Sequence, residues 1–288
     1  MKNNEQSEKA RIHLLMLRIL VYAILIFLTF LCLVFFYMLI INATRSNAQL
    51  QAGFTLMPKN NFFVNLKNAW TDASINIPRG MLNSFFIATC SAVLTTYFSA
   101  LTAYGIHVYN FKLKRAAFLF IMAVMMIPPQ VSAVGFIQLV YKFHLTNNYI
   151  PLIIPSIAAP VVFFYMKQYL ESVLPMEMVE AARVDGSGEF RTFNTIVLPI
   201  MKPAIAVQMI FSFVSSWNNY FIPALLLDKA EMKTVPFMVA QLRSADYSKF
   251  DMGKVYMFIL LAILPVLVVY IFLSKSIIKG VTAGSVKG

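Results

Sequence analysis

Glu180–Pro203 reads EAARVDGSGEFRTFNTIVLPIMKP, a polar stretch set between two long apolar runs. Its punctuation is that of two short helices. Pro175 suits the first turn of a helix, which then runs through Glu177, Val179, Glu180, Ala181, Ala182 and Arg183. Asp185-Gly186 stops it, because glycine accepts the left-handed backbone that closes helices. Ser187 is placed to cap a second short helix through Phe190 and Phe193, ending before Pro199. Ala181 and Ala182 leave room for close approach, so the pair has the form of a docking knob outside a membrane. An amphipathic connector resting on the membrane surface has a similar composition.

Outward from this stretch the chain is apolar. A bilayer core about 30 Å thick needs about 20 apolar residues in a helix. Six runs qualify: Ile19–Ile41, Met81–Gly105, Ala116–Val140, Ile150–Met166, Ala204–Leu227 and Val255–Leu273. The fourth is the shortest and holds Pro151, Pro155 and Pro160, so it is expected to be kinked and packed against other helices. Pro128-Pro129 is expected to bend the third. The first exceeds a signal-peptide core of about 7 to 15 residues and reads as a retained span. The chain is 59% hydrophobic and 12% charged, about half the charged share of a soluble domain. The fold class is therefore an all-α integral membrane protein with six transmembrane helices. No internal repeat marks inverted halves. The expected layout is a segment 1–18, a first helix 19–41, a loop 42–80, a five-helix core 81–275 containing the polar segment 167–203, and a tail 276–288.

The net charge of +12 sits beside the apolar runs, where Lys and Arg meet anionic headgroups and set orientation. With no basic stripe interleaved with exposed aromatics, nucleic acid is not an expected partner; membrane lipid is. Lys2, Lys9, Arg11 and Arg18 precede the first run, while only Arg45 and Lys59 follow closely. That bias places both termini in the cytoplasm. All 12 acidic residues fall outside the six runs. Ion-coupled carriers hold their ion with titratable groups inside the membrane, and this chain keeps none there. Uphill work must then be driven from outside the bilayer. Cys32 and Cys90 lie inside apolar runs, and His13, His107 and His144 are scattered, so neither a disulfide framework nor a metal site is expected. The absence of GxxxxGK[ST] means that this chain is not itself an ATPase, and no cofactor is expected in it. No catalytic constellation lies at depth, so the chain does not read as an enzyme.

In the fifth run, Gln208, Ser212, Ser215, Ser216 and Asn219 share one helical face, with Trp217, Asn218 and Tyr220 beside it. Neutral hydroxyls, amides and aromatic rings suit a neutral polyhydroxylated solute, so this face is a candidate solute path. Such stripes also join helices through hydrogen bonds. The second run carries Ser91, Thr95, Ser99 and Thr102, where small neighbours Ala92 and Ala100 favour packing. Gln130 and Gln138 in the third run are further path candidates.

Glu180-Ala181-Ala182, then Gly186, then Ile196-Val197-Leu198-Pro199 resembles the cytoplasmic loop of permease subunits in bacterial ABC importers. The whole of Glu180–Pro203, Ser216-Trp217-Asn218-Asn219-Tyr220 and the ending Lys279–Gly288 are similar to the carbohydrate branch, in particular the smaller permease of the maltose-type pair. The likeness covers roughly Pro78 to the C-terminus. It implies a type-1 importer permease fold and a coupling helix seated in a cytoplasmic ATPase dimer, carried by Glu180, Ala181, Ala182, Asp185, Gly186, Leu198 and Pro199. It also implies a tail that reaches the ATPase through Lys279, Gly280, Thr282, Gly284 and Lys287. The implied partners are a second, homologous permease in a heterodimer and an extracytoplasmic solute-binding protein met by Asp228–Lys254, which includes Pro236, Tyr247 and Phe250. The implied location is a bacterial cell membrane, and the implied cargo a sugar. One departure is His144-Leu145-Thr146-Asn147, where the family usually has Gly-Leu-Leu-Asn. The competing classes are an ion-coupled carrier or passive channel for small neutral solutes, and a membrane-embedded enzyme.

Overall fold

The computed structural model describes the backbone of residues 2–243 and 251–285, and side chains over 11–242 and 251–272. Its helices of nine residues or more are α1 (Lys2–Ala43), α2 (Phe62–Trp70), α3 (Ile77–Val108), α4 (Lys114–Met125), α5 (Pro129–Lys142), α6 (Pro160–Val173), α7 (Met176–Val184), α8 (Lys202–Trp217), α9 (Val235–Arg243) and α10 (Met252–Ser285). Among the described residues there is no strand. Among the described residues, four helical stretches are each long and apolar enough to cross a membrane, and six if each of two bent pairs counts as one span. The chain divides into two compact units, Met1–Thr71 with Asp246–Leu260, and Asp72–Ala245 with Leu261–Gly288.

In the first unit, α1 is apolar all round from Ile19 to Ile41 and leaves most of that surface exposed, as suits a helix whose solvent is lipid. A polar knot follows it. Arg45, only 5% exposed, donates to the Gly53 carbonyl (2.6 Å), the Gln49 carbonyl and Asn42 Oδ1 (3.3 Å). Asn65 of α2 donates to the Ala43 and Arg45 carbonyls, each at 2.8 Å. Gly253 rests on the same spot: a Cβ there would stand 2.4 Å from the Arg45 carbonyl oxygen. Only glycine fits.

The second unit is built on α3. Asn76 caps it by accepting from the Arg79 amide, with Pro78 in the first turn. Ala88, Ala92, Ser99, Ala100 and Ala103 are buried along its length, and small side chains let α6 and α8 pack close against it. Phe193, Met166, Leu170, Met201, Val179 and Val197 form the centre of its larger core.

The apolar runs depart from expectation where prolines fall. The third, expected as one bent span over Ala116–Val140, is two helices, α4 and α5, meeting at 95°. Pro128 is extended (φ −59°, ψ 129°) and Pro129 opens α5. Two successive residues without N–H donors cannot continue a helix. The fourth runs seven residues beyond Met166, as one apolar stretch Ile150–Val173 made of Ile150–Ile153, a 3-10 turn Ile154–Ile157 and α6. Pro151, Pro155 and Pro160 each open one of these segments, where a missing donor costs little. Lys167 and Glu171, expected in the polar segment, are an ion pair on α6 instead. The fifth stops early: α8 ends at Trp217, and Phe221–Leu226 is a separate short helix. The sixth extends well past Leu273. Lys279, Gly280, Thr282 and Gly284 lie on the α10 backbone, with their side chains, and all of Lys287, outside the described residues. Tyr247 and Phe250 also lie outside them.

Candidate functional site

Walls from α3, α6 and α8 surround a cavity of about 810 Å³. Gln208, Ser212, Ser215 and Ser216 of α8 line it together with Asn219 just beyond, so the face expected from helical spacing meets one space. α3 adds Ser91 and Thr95, and the broken fourth span adds Ser156. No charged side chain is in the lining. Thr95 Oγ1 donates to the Ser156 carbonyl at 2.8 Å, and Ser156 Oγ to the Ile153 carbonyl at 2.6 Å. The buried hydroxyls of Ser91 and Ser212 have no hydrogen-bond partner.

The other candidates fall elsewhere. Trp217 is buried, stacked on Phe213 at 5.8 Å, and its Nε1 donates to the Ala262 carbonyl at 3.2 Å. It holds α8 to α10 rather than facing the cavity. Asn218 and Tyr220 are exposed past the end of α8, and Gln130 and Gln138 are exposed on α5; none lines the cavity. Ser99 is buried in packing, whereas Thr102 is exposed and bonds its own helix at Phe98. The aromatic rings on the cavity are Tyr165 and Phe211. Phe211, three residues from Gln208 and four from Ser215, was within reach of a helical wheel. Tyr165 carried no local signal.

The stretch Met176–Ile200 is a second candidate. Helix α7 starts at Met176, with Pro175 extended just before it (ψ 138°) rather than in its first turn. Gly186 has φ +76°. The Ser187 amide donates to the Ala182 carbonyl at 2.9 Å and the Gly186 amide to the Arg183 carbonyl at 3.0 Å, the paired closure that a left-handed glycine permits. Ser187 does not cap the next helix. Its hydroxyl accepts from Thr192 Oγ1, and Gly188 takes the cap position of Glu189–Thr192. Nor does this helix end before Pro199. A π turn, Phe193–Val197, leads straight into Leu198–Ile200, with Leu198 N–H bonded to the Phe193 carbonyl. A wide turn relieves the clash between a proline ring and the carbonyl four residues back. The inner side, Val179, Ala182, Phe193 and Val197, is buried. Glu180, Ala181, Asp185, Gly186 and Pro199 are exposed, Leu198 is half-buried, and Val184 and Phe190 stand out at 88% and 67% exposed.

A carboxylate ties this segment to α3. Glu189 Oε1 accepts from Arg183 Nε at 2.6 Å, across the Gly186 turn, and Oε2 accepts from Tyr104 Oη at 2.9 Å. Arg183 also lies 5.8 Å from the Tyr109 ring centre. Hydrogen bonds from Arg183, then from Tyr109 and Tyr104, hold the Glu189 carboxyl down at about 2. Burial raises the Tyr109 phenol above its ordinary value. Sequence reasoning missed this cluster, since Tyr104 and Glu189 are 85 residues apart. In the loop after α5, His144 (φ 54°) and Asn147 (φ 53°) are both left-handed. Asn147 Oδ1 accepts from the amides of Asp228 and Lys229. Among the described residues no three His, Cys, Asp or Glu side chains gather as metal ligands would.

Residues 92–277 match the family of binding-protein-dependent transport system inner membrane components. The arabinooligosaccharides transport system permease protein AraQ of Bacillus subtilis (strain 168) is 36% identical over 72% of each chain. The melibiose/raffinose/stachyose import permease protein MelC of the same organism is 31% identical, over 88% of this chain and 91% of its own. The sn-glycerol-3-phosphate transport system permease protein UgpE of Yersinia pestis bv. Antiqua (strain Antiqua) is 29% identical over 85% and 88%. A solved bacterial ABC transporter involved in alginate import shares the fold, at TM-score 0.74 and 21% identity over 90% of this chain and 96% of that one. The architecture is thus that of an importer permease, and the chain belongs to the binding-protein-dependent transport system inner membrane component family.

Proposed function

We propose that this chain is one of two homologous permeases in an ATP-driven importer of a sugar or related polyhydroxylated solute. It forms half of the translocation path and is driven by a cytoplasmic ATPase dimer, which binds the ATP, while an extracytoplasmic binding protein delivers the solute. Its termini and the Gly186 turn face the cytoplasm of a bacterial cell. AraQ and MelC, both named for oligosaccharides, support the cargo. One observation carries the coupling role: the turn buries its inner face while presenting Val184 and Phe190 outward, beside Glu180 and Asp185. An apolar tip on a polar segment outside the bilayer calls for a partner. Movement of that partner reaches α3 through Phe193 and Glu189.

Gly186→Pro tests this, since proline is fixed near φ −65° where the turn needs +76°. The variant is expected to insert in the membrane and to lose solute-stimulated ATP hydrolysis in the reconstituted complex. Normal stimulated turnover would remove the coupling assignment.

A further inference from the structure

We infer that the segment after α1, residues 53–70, is a lipid-binding anchor. It lies in the headgroup–acyl boundary of the leaflet where α1 ends, is held at that depth by Tyr37, and takes phospholipid rather than protein as its partner.

The first observation is the depth. Tyr37 Oη donates to the Leu56 carbonyl at 2.7 Å. Tyr37 lies six residues before the end of α1 at Ala43, about 9 Å down the helix at about 1.5 Å per residue. Helical side chains lean towards the N-terminus, which here is deeper still. The chain on either side of Leu56 is tied to the polar knot: the Gly53 carbonyl accepts from Arg45, and the Lys59 amide donates to Thr44 Oγ1 at 2.8 Å. The segment between them therefore dips and returns, and three extended residues reach about 10 Å each way. Interfacial segments sit about 5–10 Å into that boundary.

The second observation separates a dip into lipid from a loop in water, where solvent pairs with exposed amides. At the tip the Leu56 carbonyl is taken by Tyr37, the Met57 amide by Thr55 Oγ1 at 3.1 Å and the Lys59 amide by Thr44. Pro58 has no amide to satisfy. Backbone entering lipid must be paired in this way. The side chains do the opposite: Phe54, Leu56 and Met57 are 75%, 52% and 70% exposed and continue the open apolar surface of α1 at Tyr37. Helix α2 buries Asn65 and Ala69 and turns Phe63, Val64 and Trp70 outward. The third observation is charge. Residues 42–71 hold Arg45, Lys59 and Lys67 and no acid. Arg45 is spent in the knot, which leaves Lys59 and Lys67 exposed for lipid phosphates. Tyr37 and Trp70 are of the ring types that gather at such boundaries. Gly253 rests on the same knot, and the Met252 amide donates to Asn47 Oδ1 at 3.3 Å, so the anchor fixes the height at which α10 begins.

Nitroxide labels on single cysteines test this in the complete complex, in proteoliposomes of phosphatidylethanolamine and phosphatidylglycerol, with Cys32, Cys90 and every cysteine of the other subunits replaced. Ile26→Cys on α1 gives the lipid reference and Gln51→Cys the aqueous one, both side chains being exposed. Labels at Phe54→Cys and Met57→Cys are expected to collide more with oxygen, which concentrates in lipid, than with a water-soluble nickel chelate, at a depth between the two references. Tyr37→Phe, added to Met57→Cys, is expected to shift that depth towards the Gln51 value. A nickel excess at either position would put the segment in water and overturn the inference. A label shielded from both reagents would put a protein over it and overturn the inference as well. An unchanged depth in Tyr37→Phe would remove the role given to Tyr37.

Discussion

Phe193→Ala tests whether the Gly186 segment moves with the membrane helices or merely rests on them. Phe193 is fully buried. Its ring meets Tyr97 edge-on at 5.7 Å and Tyr104 tilted at 5.5 Å, both on α3. Truncating a buried phenylalanine costs about 3–5 kcal/mol, lost packing and residual cavity together, and that range already includes the two ring contacts. The residue lies in the stretch that links α7 to α8, so the loss is expected to fall on local detachment of Met176–Met201 before global unfolding. At the low end, about 3 kcal/mol raises the opening equilibrium more than about a hundredfold. Hydrogen–deuterium exchange by mass spectrometry on the purified complex reads this directly. Amides of Phe193–Met201 are expected to exchange faster by that factor, with α10 unaffected, and solute-stimulated ATP hydrolysis to fall in parallel. Phe193→Leu, which refills most of the volume, is expected to cost less than about 1.5 kcal/mol. An acceleration below about tenfold in Phe193→Ala would refute the claim that this ring pins the segment.

Three further outcomes follow from particular contacts. Gly253→Ala pushes a methyl group into the Arg45 carbonyl, and overpacking of this kind costs about 1–3 kcal/mol; an unchanged thermal midpoint would count against the polar knot as drawn. His144→Gly relieves a left-handed backbone worth about 1–2 kcal/mol, partly offset by about 0.5–1 kcal/mol of glycine entropy. The midpoint should therefore rise slightly, and a fall would show that His144 contributes contacts of its own. For Glu189 the sign follows from its lowered carboxyl. With a value of about 2 in the folded protein against 4.5 ordinarily, its stabilisation is complete above pH 4.5 and fades as pH falls towards 2. Exchange protection in Glu189–Val197 should accordingly differ between wild type and Glu189→Gln above pH 4.5 and converge as pH falls towards 2. A difference constant across that range would mean that the carboxylate charge does not hold the segment.

What could be read from the chain followed the reach of each interaction. The Gly186 turn was legible because left-handed backbone is a local demand, and the α8 face because period alone brings Gln208 to Ser216. The failures have the same logic. Ser187 was a plausible cap by type, but Gly188 stands nearer the helix start and Thr192 takes the hydroxyl. Trp217 reads as a sugar-stacking ring until α10 offers the Ala262 carbonyl. Tyr165 reaches the cavity only because three prolines segment the fourth span, and Glu189 meets Tyr104 only through tertiary folding. Proline positions were visible, but their effect was underestimated: Pro128-Pro129 gives a right-angle corner, not a bend.

The uncharged cavity lining has an electrical consequence. Carrying one elementary charge through the membrane potential changes the energy by about 2.3 kcal/mol per 100 mV. A wall with no ionic groups presents no fixed charge for that field to act on, and the proposed sugar cargo adds none. Uptake through this subunit should keep its pace whether the membrane is polarised or collapsed, leaving nucleotide supply as the throttle.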